Sequence, residues 1–147
     1  MNSSPNSVFG TQLIGQTEKA LNAILGRQLA GTGLGEPHWV ALTLTVLSNG
    51  PIARDELIGR VAGTLKCADQ RASVFAADLT TMGLLQATAT GQVETSEAGR
   101  AQWHAIRDGI NRIIERLWGD LPADELAMAG RVLSTVLERA NAELAAA

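Results

Sequence analysis

The stretch Leu65–Leu85, LKCADQRASVFAADLTTMGLL, decides how this chain is read. Ala68, Ala72, Phe75, Ala76, Leu79 and Met82 recur at three- and four-residue spacings, the signature of one helix face. Gly83 stands where a helix closes in the left-handed conformation. A polar start leading into an amphipathic run is the outline of a helix that enters a DNA groove. Yet this one carries only Lys66 and Arg71 against Asp69 and Asp78, so its hold on a polyanion is the question the rest of the chain must answer.

Upstream, apolar residues at Leu13, Ile14, Leu21, Ile24, Leu25 and Leu29 predict a long amphipathic helix over 8–30. GTGLGEP breaks it. A second helix is predicted from Pro37 to Leu47, with Pro37 suited to a first turn and Trp39, Leu42, Val46 and Leu47 facing inward. SNGP ends it, and a short third helix follows from Arg54 to Val61, joined by AGTLK to the opening stretch.

Downstream, Leu84–Thr88 and Gln92–Thr95 read as two small strands around a turn at Gly91. Ser96 is placed to cap a new helix with Glu97 near its positive end. In that helix Trp103, Ile106, Ile110, Ile113 and Leu117 form a nearly heptad-like stripe up to Trp118. GDLP breaks it, and Pro122 opens a last helix whose seam is Leu126, Ala129, Leu133, Val136, Ala140 and Leu144. The order is thus four helices, a hairpin and two helices. Such a mainly α chain with a small β-hairpin wing is a winged helix-turn-helix with long terminal helices. Residues 36–95 form the winged block, flanked by a first helical segment over 1–35 and a last over 96–147, all in one compact unit. Long terminal helices with apolar stripes find each other, often across a two-fold axis.

The chain has 147 residues and a formal charge of −3. Bulk charge therefore does not advertise nucleic acid, although a local patch is what binding needs. The single cysteine, Cys67, excludes a disulfide framework within the chain and a cysteine-based zinc site. This usage fits a reducing cytoplasm. MNSSPNSVFG lacks the basic and apolar regions of a signal peptide. No run of about 18 uninterrupted apolar residues predicts a membrane span. His38 and His104 have no partners at metal-ligand spacing and read as surface or crevice groups, so no metal or other cofactor is expected. No nucleophile-base-acid arrangement, phosphate loop or carboxylate pair suggests an enzyme.

Several segments together resemble the MarR family of winged helix-turn-helix regulators: GLGEPHWVALTLTVLSNGP, DELIGRVAG, LTTMGLL, VETSEAGRAQ and LWGDLPADELAMAGRVLSTVL. The resemblance spans nearly the whole chain. It implies a homodimer joined by its terminal helices, with Leu13, Leu21, Ile110, Ile113, Leu117, Leu133 and Val136 as interface residues. It implies a recognition helix in the major groove of a palindromic operator and a wing at the neighbouring minor groove. Many members are repressors released by small aromatic or phenolic ligands, and some respond to cysteine oxidation. Two departures fall on DNA contacts. The wing tip, QATATGQ, has no basic residue, and the usually basic middle of the recognition helix is Val74 and Asp78.

From 51 to 100 the basic residues Arg54, Arg60, Lys66, Arg71 and Arg100 face six acids, so the winged block is about neutral. Five polar residues and one apolar residue make the candidate DNA set. Gln70 suits adenine and Arg71 guanine, Ser73 a base or phosphate, and Lys66 and Arg54 phosphates, with Val74 between them. The competing reading is a set of solvated surface polars. Trp39 and Trp103 lie where the resemblance places a ligand crevice, with Arg27, Thr43 and Arg107 nearby to orient an anionic ligand such as an aromatic acid; the competing role is packing. Cys67 beside Lys66 at a helix start suits either a redox switch or a small turn residue. The chain therefore reads as a cytoplasmic, ligand-responsive transcriptional regulator. The alternative is a dimeric winged helix kept as a ligand- or protein-binding module with weakened or lost DNA binding.

Overall fold

The computed structural model describes residues 8–146. The polar start read at 1–7 lies outside the described residues. The chain divides into two compact units, one running to Ile110 and one from Asn111 on.

The first unit holds α1 (Thr11–Leu29), α2 (Glu36–Leu47), β1 (Ile52–Ala53), α3 (Arg54–Leu65), α4 (Asp69–Thr81), β2 (Leu85–Ala87), β3 (Gln92–Thr95) and the first half of α5 (Glu97–Trp118). Its core is assembled from the inward stripes that the spacing predicts. Leu42 of α2, Leu57 and Val61 of α3, Leu79 of α4 and Leu85 of β2 are fully buried. Trp39, Phe75, Val93, Trp103 and Ile106 complete the same cluster. Ala41, Ala72 and Ala76 are buried where α2, α3 and α4 pack together; their small side chains admit close helix approach. The predicted inner face of α4 is shorter than its periodicity suggests, because Ala68 and Met82 at its two ends are exposed. Leu47, predicted inward at the end of α2, is 63% exposed.

Two further elements differ from expectation. The third helix continues through Ala62-Gly63-Thr64 to Leu65, where a linker is predicted after Val61. Ala62 is buried, so this extra turn adds to the core, and the helix ends only at Lys66, which takes the left-handed conformation at φ 57°, ψ 48°. The Cys67 N–H then bonds the Ala62 carbonyl at 3.1 Å. The wing is a three-stranded antiparallel sheet of order β1-β3-β2, not a hairpin alone. Ile52 pairs with Val93 and Ala53 with Gln92, while Leu85, Gln86 and Ala87 pair with Thr95, Glu94 and Val93. A two-residue strand has no periodicity to detect, and its partner lies forty residues away in sequence.

The second unit is the C-terminal part of α5 followed by α6 (Ala123–Ala145). Asp124 and Glu125 sit in the first turn of α6, with Pro122 as its cap. No residue of α6 is buried. Met128, Val132, Leu133, Val136, Leu137 and Leu144 are all exposed, a broader apolar face than the predicted seam. Among the described residues, no helix is long and apolar enough to cross a membrane.

Candidate nucleic-acid interface

Four local devices fix α4. Its inner face, Ala72, Phe75, Ala76 and Leu79, is buried against α2 and α3. Its end is closed by a Schellman motif: Gly83 adopts φ 79°, its N–H bonds the Thr80 carbonyl at 3.0 Å, and the Leu84 N–H bonds the Leu79 carbonyl at 2.9 Å. Ser96 ties this closure to α5. Its hydroxyl donates to the Gly83 carbonyl at 2.6 Å and accepts from the Gly99 N–H at 3.0 Å, while its own N–H bonds the Leu84 carbonyl at 3.0 Å. The cap predicted at Ser96 thus also anchors the recognition-like helix. Gly99 lets this approach happen, since a methyl group there would strike the Leu84 carbonyl oxygen and meet Thr95 Cγ2 at 3.0 Å.

The fourth device joins residues far apart in the chain. His38 Nδ1 accepts the Gly35 N–H at 3.1 Å, so that nitrogen is unprotonated in this arrangement and Nε2 carries the hydrogen. Nε2 then donates to Asp78 Oδ2 at 2.9 Å. The imidazole also meets the Phe75 ring edge-on at 5.3 Å. His38, read from sequence as a surface or crevice group, therefore links the start of α2 to α4. Residues 38 and 78 are forty positions apart in sequence, and no local pattern pairs them.

The outer face of α4 presents most of the predicted readers. Gln70, Arg71 and Val74 are exposed, Val74 at 52%, and Ser73 is half-buried. Arg71 leans over the Phe75 ring, 5.6 Å from its centroid, and Ser73 donates its hydroxyl to the Gln70 carbonyl at 2.8 Å. Lys66 is exposed just before α4 and gives one of its three hydrogens to the Gly63 carbonyl at 2.9 Å. Arg54, by contrast, opens α3 and is separated from Lys66 by the length of that helix, roughly 18 Å at 1.5 Å per residue. Arg60 is paired with Glu56 at 2.6 Å. The local positive charge is thus thin, as the residue balance predicts. At the wing tip, Thr88 Oγ1 accepts the Gln92 N–H at 3.1 Å, and Gly91 turns the chain at φ 82° with its N–H on the Thr88 carbonyl. The turn Thr88–Gly91 carries no charged side chain.

Four of the five ligand-set residues come together. Trp39 and Trp103 stack at 6.0 Å and 13° between planes, Trp103 Nε1 donates to Thr43 Oγ1 at 2.9 Å, and Arg107 stands 5.9 Å from the Trp103 ring. The two indoles are core residues, 7% and 8% exposed, with Arg107 at the rim. Arg27 is exposed on α1 and has no part in this cluster. An open hollow of about 390 Å³ lies elsewhere, between the end of α1 and the glycine loop, lined by Leu29, Gly33, Leu34 and Glu36 among others. Cys67 is half-buried and packs against the core. Among the described residues no group of acids, histidines and cysteine is arranged to hold a metal ion.

Of the residues predicted at a dimer interface, Leu13, Leu21, Leu117, Leu133 and Val136 are exposed. Ile113 is half-exposed, and Ile110 packs against the core of the first unit.

Solved structures match this arrangement across most of the chain. The reduced form of MarR from E. coli superposes with a TM-score of 0.67 at 19% identity, covering 90% of this chain and 96% of that one. A MarR-family protein of Mycobacterium tuberculosis, solved in complex with DNA, gives 0.67 at 18% identity over 88% and 98%. CouR from Rhodococcus jostii RHA1, bound to p-coumaroyl-CoA, gives 0.72 at 15% identity over 84% and 88%. No protein-family model and no curated protein matches the sequence. The chain thus has the winged-helix fold of MarR-family transcriptional regulators.

Proposed function

We propose that this chain is a DNA-binding transcriptional regulator that works in the cytoplasm as a homodimer. The observation that carries the reading is α4 itself: its inner face is buried and closed at the end by Gly83 and Ser96, while Gln70, Arg71 and Val74 stand outward together. The fold supports it, since a structural neighbour with 18% identity is solved on DNA. Phosphate contacts at Lys66 and Arg71 supply affinity, and doubling by the dimer compensates for their small number. Arg54, at the far end of α3, serves an outlying phosphate.

Dimerisation through the terminal helices is supported by the uncovered apolar faces. α6 has no buried residue of its own, and Leu117, Leu133 and Val136 stay exposed in a single chain. A two-fold dimer reads a palindromic operator whose half-sites lie about 34 Å apart. The role we assign is repression relieved by a small aromatic or phenolic acid. Support comes from the Trp39, Trp103, Thr43 and Arg107 cluster and from a fold neighbour that binds an aromatic acyl thioester. Arg27 belongs to that proposal only if ligand binding moves it.

A second reading is favoured by the uncharged wing tip and by Asp78 in the middle of α4. In it the dimer binds a ligand or a protein and has lost DNA. Selection from random duplex DNA at low salt, followed by a salt titration, separates the two. The first reading expects a palindrome with a steep salt slope. A folded dimer that enriches no sequence overturns it in favour of the second.

A further inference from the structure

We infer that the recognition helix reads its half-site chiefly through thymine methyl groups and adenine, not through guanine. The inference rests on the DNA-binding reading above and gives it a base class. At 100° per residue, Gln70, Val74, Ala77 and Thr81 fall within roughly 60° of one another around α4. All four are exposed, and they lie opposite the buried Ala72, Phe75, Ala76 and Leu79. The ridge that would meet the groove floor is therefore uncharged over about three turns.

The charged side chains Arg71 and Asp78 stand to one side of it. Arg71 flanks the ridge and is drawn back over the Phe75 ring at 5.6 Å. Asp78, the carboxylate on the same flank, has Oδ2 bonded to His38 Nε2 at 2.9 Å. Ser73, on the other flank, has its hydroxyl hydrogen on the Gln70 carbonyl. These arrangements leave the ridge to one amide, one hydroxyl at the Thr81 end and, between them, the apolar side chains of Val74 and Ala77. In the major groove each base pair shows its own pattern, and only thymine presents a methyl group. An exposed Val74 and Ala77 match that methyl and bond to nothing on a G·C edge. Gln70, at the N-terminal end, has the donor and acceptor that adenine N7 and N6 require. Ala77 is also short enough to let the helix backbone approach the bases.

The test uses the full chain. After site selection, each thymine of the enriched duplex is replaced singly by deoxyuridine, which removes the methyl and keeps every hydrogen bond. Affinity is read by fluorescence anisotropy for the wild type and for V74A, a surface change that favours helix. The expected half-site core is A·T, with one or two positions where deoxyuridine weakens binding about three- to fivefold, the worth of one buried methyl group. V74A should bind thymine and uracil forms alike at one of those positions. An enriched site indifferent to deoxyuridine, or a half-site core of G·C pairs lost on R71A, overturns the inference while leaving DNA binding intact. No enrichment from a folded protein overturns the DNA-binding reading and this inference with it.

Discussion

His38 of α2 and Asp78 of α4 are joined side chain to side chain, Nε2 to Oδ2 at 2.9 Å, while His38 Nδ1 holds the Gly35 N–H. One imidazole thereby satisfies a backbone donor at the start of α2 and braces the outer flank of α4. The carboxylate is 46% exposed and the imidazole 17%. The Asp78 end of the link is therefore screened by water, and the Gly35 end carries more of the stabilisation. H38A is expected to cost about 1–2 kcal/mol in urea denaturation and D78A less than about 1 kcal/mol. A double-mutant cycle returning no coupling would show that the two groups act independently.

Gly99 and Ser96 form the junction between wing, α4 and α5. G99A places a methyl group against the Leu84 carbonyl, which the closure of α4, the start of β2 and the Ser96 N–H hold in place. The expected cost is about 3 kcal/mol, at the upper end for overpacking. S96A removes a helix cap and the bond to the Gly83 carbonyl, with an expected loss of about 1–2 kcal/mol. Thermal unfolding of both variants ranks them, and an S96A midpoint equal to wild type would remove Ser96 from the anchoring role.

Lys66 occupies a left-handed position, φ 57°, that favours glycine. K66G should therefore raise stability by roughly 0.5–1 kcal/mol. On the proposed operator the same variant should bind more weakly and show a salt slope smaller by about one unit per lost phosphate contact. Opposite signs for stability and affinity distinguish a phosphate contact from a purely structural lysine.

Leu133 and Leu137 are 47% and 59% exposed on α6. L133D with L137D should leave the fold intact by circular dichroism and weaken self-association at least about tenfold in sedimentation. An unchanged sedimenting mass would place the subunit contact elsewhere. Ile110 suits this test less well, because it packs against the core and its substitution by Asp would disturb folding as well.

Much of the architecture is legible in the residues one after another. The periods of α1, α2, α4, α5 and α6, the glycine closing α4 and the serine opening α5 are local signals, each confined to a few turns. The thin positive charge of the candidate interface is legible too, since it is a matter of counting residues. Other features needed the tertiary structure. β1 exists only because β3 supplies hydrogen-bond partners, and the last turn of α3 only because Ala62 finds a place in the core. Trp103 meets Thr43 across sixty residues, and His38 meets Asp78 across forty. Spacing along a chain determines which side of a helix a residue occupies. What that side faces depends on long-range packing: Arg71 meets Phe75 within one turn of α4, but only the tertiary structure engaged Asp78 with His38, beside the uncharged ridge.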